Sequence, residues 1–128
     1  IGEQLPGLNV PVTASLIVAG AIATSDYSLV HHDKAHAQAA GTPDIFMNIL
    51  TSNGLVQRFV HDWAGPGARI RSLKMRLGAP NFPGDALQLS GTVTTREVIG
   101  KEKIVEVAVS GRNRLGEHVT ATVRLALP

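Results

Sequence analysis

Thr42-Pro43-Asp44-Ile45-Phe46-Met47-Asn48-Ile49-Leu50-Thr51-Ser52-Asn53-Gly54-Leu55-Val56-Gln57-Arg58-Phe59-Val60-His61-Asp62-Trp63 carries its apolar residues at helical spacing, whereas the chain beyond it alternates. Ile45, Ile49, Ser52, Val56, Phe59, Val60 and Trp63 recur on one face. Thr42 suits an N-cap with Pro43 at the first helical position, and Gly65-Pro66-Gly67 stops the helix. From Ala68 the period becomes two, through Leu73, Met75 and Leu77, then Leu87, Leu89 and Val93, then Ile104 to Val109 and Val119 to Leu127. Asn113 to Gly116 supplies a turn between the last two strands. A long helix and an antiparallel meander must bury their apolar faces against each other, so the pattern predicts an α+β fold in which a curved antiparallel sheet wraps a central helix.

Upstream the signals are shorter. Residues 1–11, with Gly2, Pro6, Gly7 and Pro11, read as an irregular lead-in. Thr13 to Thr24 is apolar and β-branched enough for a buried strand, and Gly20 within it suggests a bulge or a close backbone approach. Asp33 to Ala40 reads as a short helix ended by Gly41.

The 128 residues, 44% hydrophobic, fit a single domain over 1–128, and aromatics at only 4% leave an aliphatic core. The absence of cysteine excludes a disulfide framework and a thiolate nucleophile, and the cytoplasm is the default compartment. The apolar run Leu16 to Ala23 is too short to span a bilayer and lacks the basic flank of a signal peptide, so no membrane is expected. A formal charge of +2 with Lys and Arg scattered along the chain argues against nucleic acid as a partner.

Chemistry concentrates in Asp26-Tyr27-Ser28-Leu29-Val30-His31-His32-Asp33-Lys34-Ala35-His36-Ala37. Asp26 and His31 stand five residues apart where strand is expected to give way to helix. A carboxylate and an imidazole, with ordinary pKa values of ~4 and ~6.5, can hold one water and move protons to and from it. The structural alternative is a capping Asp and a satisfied surface His. His32 and His36 lie four apart in the manner of a His-acid-x-x-His metal site, but no third ligand accompanies them, so no metal is expected and His32 and Asp33 are assigned to the turn that presents His31. Arg69, Arg71, Lys74 and Arg76 are either the solvated face of a strand or contacts for the phosphates of coenzyme A.

The spacing Asp-x4-His-x5-Ala at Asp26, His31 and Ala37 resembles the active-site segment of MaoC-like, hydratase-2 enoyl-CoA hydratases, which have the hotdog fold. Pro83-Gly84-Asp85-Ala86-Leu87, followed by Leu89, Gly91 and Val93, resembles a turn and strand of the same family. Ser28 and Leu29 replace the Asn-Pro of most relatives, and no His-Gly stands between Asp44 and Asn48. Both departures are shared by the small subunits of actinobacterial steroid side-chain enoyl-CoA hydratases, which the segments Asp44 to Leu50 and Gly54 to Arg58 also resemble.

The resemblance implies a lyase that adds water to the trans-2,3 double bond of an enoyl-CoA, here a steroid side-chain thioester. Asp26 and His31 would be catalytic. No cofactor is implied beyond the coenzyme A of the substrate itself. Negative charge builds on the thioester oxygen in such a reaction, so N–H donors at a helix N-terminus are expected near Phe46, Met47 and Asn48. Asn48 itself either donates to the substrate or is an ordinary capping group.

The implied partner is a second hotdog chain, in a heterodimer or heterotetramer. Alternatives are a homodimeric short-chain (R)-specific hydratase and a non-catalytic acyl-CoA-binding subunit. A hotdog thioesterase with a carboxylate in the central helix is disfavoured, since no Asp or Glu occurs from Ile45 to His61. Asp85 is read as structural, and His61 and His118 as surface groups. Gly54, mid-helix at a cost of ~1 kcal/mol relative to Ala, suggests close approach of a ligand or partner helix.

Overall fold

The computed structural model describes residues 2–128. In chain order the elements are β1 (Leu8–Pro11), α1 (Ala14–Ala23), a 3-10 turn (Leu29–His31), α2 (Lys34–Ala39), α3 (Ile49–Ala64), β2 (Arg69–Leu77), β3 (Ala86–Ile99), β4 (Glu102–Asn113) and β5 (Gly116–Leu127). The strands form one antiparallel sheet in the order β1-β3-β4-β5-β2, which leaves β1 and β2 as edges. This is the α+β hotdog architecture that the periodicity and resemblance predicted.

The core lies between α3 and the inner face of the sheet. Leu55, Val56, Phe59 and Val60 pack with Leu87, Leu89, Val93, Val105, Val107, Val109, Val119, Val123 and Leu125, all buried. Full burial of each such side chain contributes about 1.5–3 kcal/mol, so this seam anchors the helix to the sheet. Gly91 lets the helix come close, because a Cβ there would sit 2.9 Å from Phe59 Cε2 and 3.3 Å from Val107 Cγ1.

The segment Thr13 to Thr24, expected as a strand, is instead capped and helical. The Thr13 hydroxyl accepts the Leu16 N–H at 3.0 Å, and α1 follows with Ile17 and Ala21 buried one turn apart. Its sequence is apolar on every side, so neither period two nor period 3.6 is visible, and four alanines favour helix over the β-branched residues between them. The close approach at Gly20 is real: a Cβ there would lie 2.8 Å from Thr51 Cγ2 on α3.

The central helix begins six residues later than Thr42 and Pro43 suggested. Thr42 Oγ1 instead donates to Ala37 O at the end of α2, and Asn48 caps α3 by accepting the Thr51 N–H at 3.0 Å. The connecting stretch is held down by its own bonds, with Met47 N–H donating to Asn81 O and Asp44 capping the Ile45 N–H. Ile45 is therefore buried ahead of the helix, and Ile49 is 53% exposed, off the core face. Among the described residues no helix is long and apolar enough to cross a membrane.

Candidate active site

Asp26 is delivered by the way α1 ends. Ser25 takes φ 57°, a left-handed conformation that usually belongs to glycine, and its N–H donates to Ile22 O while the Asp26 N–H donates to Ala21 O at 2.8 Å. The chain thus reverses tightly and turns the Asp26 side chain back toward the start of α3. Its Oδ1 accepts the Ser28 N–H at 3.2 Å, and its Oδ2 accepts Asn48 Nδ2–H at 3.1 Å. These two donors, the Asn48 amide above all, hold the carboxyl below the usual carboxylate range against an opposing desolvation, with His31 and His32 adding smaller attractions.

His31 comes from the 3-10 turn and is buried. Its Nδ1 lies 2.7 Å from Phe46 O, and its ring meets the Phe46 ring edge-on at a centroid distance of 4.9 Å. A carbonyl can only accept, so Nδ1 carries a proton, and Nε2 is the nitrogen turned toward Asp26. That Nε2 lies 3.4 Å from Asp26 Oδ2, with the carboxylate 29% exposed. The structure therefore brings Asp26 and His31 together, with the carboxylate reaching the surface. His32 Nε2 bonds Asp26 O at 2.9 Å, and Asp33 caps α2 through the His36 N–H. Among the described residues no group of three or more His, Asp or Glu side chains is placed to hold a metal.

The donors expected from Phe46, Met47 and Asn48 fall differently. The Phe46 N–H points to Val30 O and the Met47 N–H to Asn81 O, so neither is free for a substrate oxygen. The Asn48 side chain is buried and fully engaged, giving one N–H to Thr24 Oγ1 at 2.9 Å and the other to Asp26. Of the three residues only Asn48 keeps an uncommitted backbone N–H, and those of Ile49 and Leu50, in the first turn of α3, also have no acceptor among the described residues. The later helix start moves the positive end of the helix dipole to this point.

Other expectations also resolve. His118 is buried, with Nδ1 2.7 Å from Ala79 O and Nε2 2.7 Å from Ser52 Oγ, and burial lowers its pKa despite the carbonyl. Alternation would set it on the face opposite Val119, so its burial comes from packing against Ala79 and Ser52 and not from the strand pattern. Gly54 is exposed and has no neighbour near its Cβ position within this chain. Asp85 accepts the Phe82 N–H and Arg114 Nε, tying the β2–β3 loop to the β4–β5 turn. Arg69, Arg71, Lys74 and Arg76 are exposed on the edge strand β2, where Arg71 pairs with Glu102.

A groove of about 600 Å³ lies on the sheet between β2, β5, β4 and β3, includes Lys74, Arg76, Ser90, Thr92, Ser110 and Thr122, and shares no residue with the Asp26–His31 pair. Exposed apolar side chains occur on the segments that carry or flank the pair: Ile22 in α1, Tyr27 and Leu29 between Asp26 and His31, and Ile49 and Leu50 in the first turn of α3.

The hotdog sheet and helix thus carry an acid and an imidazole that converge where α1 ends and α3 begins. Residues 1–113 match the MaoC-like domain, and the chain belongs to that family. It is 48% identical over 127 residues, 99% of this chain and 95% of the relative, to the Mycobacterium tuberculosis 3-oxo-4,17-pregnadiene-20-carboxyl-CoA hydratase beta subunit. The crystal structure of the ChsH1–ChsH2 complex from the same organism contains a chain that superposes with a TM-score of 0.94 at 48% identity, covering 100% of this chain and 98% of that one. An (R)-hydratase of A. caviae involved in PHA biosynthesis shares the fold at a TM-score of 0.88 and 19% identity, covering 100% and 96% of the two chains.

Proposed function

We propose that this chain is the catalytic subunit of an enoyl-CoA hydratase that adds water across the trans-2,3 double bond of a steroid side-chain thioester, working with a second hotdog chain. The observation that carries the chemistry is the convergence of Asp26 Oδ2 and His31 Nε2, 3.4 Å apart; with Nε2 unprotonated, both accept. One water donating a hydrogen to each leaves an oxygen lone pair directed outward, toward C3 of an enoyl group. As the C3–O bond forms, one water proton passes to the pair, electron density moves through C2 to the thioester oxygen, and a proton held by the pair is delivered to C2 on the same face. The sum is one water consumed and one 3-hydroxyacyl-CoA formed. Backbone N–H groups of Asn48, Ile49 and Leu50 at the α3 N-terminus are the donors available to the developing oxyanion.

The exposed apolar side chains of Ile22, Tyr27, Leu29, Ile49 and Leu50, on the segments that carry or flank this pair, support a bulky, non-polar acyl group or the helix of a partner over the site. The relationship to a hydratase beta subunit whose substrate is a pregnadiene carboxyl-CoA supports the steroid and the partner. The test is loss of enoyl absorbance from a steroid enoyl-CoA and a short-chain enoyl-CoA, using the chain alone and mixed with its candidate partner. Turnover of the steroid thioester only in the mixture is expected. Short-chain turnover without a partner would replace this reading by a self-sufficient homodimeric hydratase, and inactivity throughout would leave a binding subunit.

A further inference from the structure

We infer that Asn48 is a positioning residue, whose buried side-chain amide aims the Asp26 carboxylate at His31 and does not touch the substrate. The inference rests on the reading of Asp26 and His31 as the catalytic pair and adds a residue that the acid-histidine motif does not contain.

The orientation of the amide is set by its neighbours. The Thr51 backbone N–H can only donate, so the atom 3.0 Å from it is Oδ1, and the Thr51 hydroxyl bonds the same oxygen. Nδ2 must then face Thr24 Oγ1 and Asp26 Oδ2, at 2.9 and 3.1 Å. Thr24 spends its own hydroxyl hydrogen on the α1 carbonyls of Gly20 and Ala21, at 2.9 and 3.1 Å, so it can only accept from Asn48. Every polar atom of the amide has a partner, and the side chain is 2% exposed. No hydrogen remains for a thioester oxygen.

Capping does not explain the residue. An N-cap uses only a side-chain acceptor, and Asp or Ser serves as well as Asn. The second function of this amide is donation to Asp26, and it fixes which carboxylate oxygen stands beside His31 Nε2. The backbone of Asn48 is equally constrained, since its carbonyl accepts the Ser52 N–H and Ser52 Oγ bonds His118 on β5. The donor thus stands on a helix end bolted to the sheet, while the carboxylate stands on a turn whose own backbone is held by α1.

Asn48→Asp keeps a capping oxygen and replaces the donor by a second carboxylate. Asn48→Ser keeps a cap and removes the donor without adding charge. The other titratable groups acting on Asp26 are His31 and His32, because α1 and the first turn of α3 carry no charged residue. Both variants are assayed as the complex with the partner chain, for kcat, KM and the pH profile, with complex formation and circular dichroism as controls of folding. The expected result is a fall in kcat of about 10²-fold with KM changed far less, as for a misplaced catalytic group. In Asn48→Asp the acid limb of kcat also moves up by about one pH unit or more, because two adjacent carboxylates resist joint ionisation.

A merely structural Asn48 would lower the yield of folded complex and leave kcat and the acid limb of the folded fraction unchanged, which overturns the inference. Asp26→Asn is measured alongside. If it is inactive while the folded Asn48 variants behave as wild type, the role of Asn48 alone fails. If Asp26→Asn is itself fully active, the reading of the site fails with it.

Discussion

Gly20→Ala sets helix propensity against packing at the contact that joins α1 to α3. In a helix interior Ala is favoured over Gly by about 1 kcal/mol, so propensity alone makes the substitution stabilising. The added Cβ, however, would lie 2.8 Å from Thr51 Cγ2, 3.1 Å from Thr51 Cβ and closer still to Oγ1. Thr51 is not free to swing away, because its hydroxyl bonds Asn48 Oδ1. Either the helices part locally by about 1 Å or that bond breaks, and overpacking of this kind costs about 1–3 kcal/mol. The net expectation is a destabilisation of about 0–2 kcal/mol.

Thr51→Ala removes Oγ1 and Cγ2 and leaves the Cβ contact at 3.1 Å, which a small local shift relieves, so in that background the same Gly20→Ala substitution should range from neutral to stabilising by about 1 kcal/mol. The two changes therefore couple by about 2 kcal/mol, well beyond the ~0.3–0.5 kcal/mol scatter of independent sites. Urea unfolding of the four proteins at one fixed concentration measures the cycle. Additive effects, or stabilisation by Gly20→Ala in the wild-type background, would refute the packing argument.

Ser25→Gly should raise stability by about 0.5–1 kcal/mol, since it relieves a left-handed φ of 57° at the cost of a more flexible unfolded chain, and thermal unfolding reads it. His118 has a folded pKa below its unfolded value of about 6.5, so the unfolded chain binds more protons as the pH drops. Its contribution is complete above that pH and is lost as pH falls from there toward the folded pKa, by no more than about 1.4 kcal/mol per unit. His118→Gln, which keeps an acceptor for Ser52, should flatten the acid-side stability curve in that window, and an unchanged slope would contradict the burial argument.

The fold was legible where periodicity was strong. Four strands and the central helix follow from alternation and from the Val56, Phe59 and Val60 face, which tertiary burial rewards directly. What escaped has identifiable causes. Residues 14–23 are apolar all round, so no period separates helix from strand, and the Thr13 cap was the only local signal. Thr42-Pro43 is a good helix start by composition, but Thr42 finishes α2, Asp44 is spent on the Ile45 N–H of the connecting stretch, and Asn48 caps the helix.

For the site, the acid and histidine spacing pointed to residues that the structure does bring together, because both lie on one short turn. The Asn48 amide was invisible in that role, since its partners Thr24 and Asp26 are more than twenty positions away and no local spacing encodes them. The pairing of His118 with Ser52 is likewise a contact between β5 and α3 that only tertiary packing creates.

The most direct measurement is steady-state hydration of the steroid enoyl-CoA by the complex carrying Asp26→Asn or His31→Ala in this chain, with complex formation confirmed for each. The account predicts that both variants assemble and lose at least about 10²-fold in kcat, the scale of a removed general acid or base. Wild-type turnover by either assembled variant would contradict it.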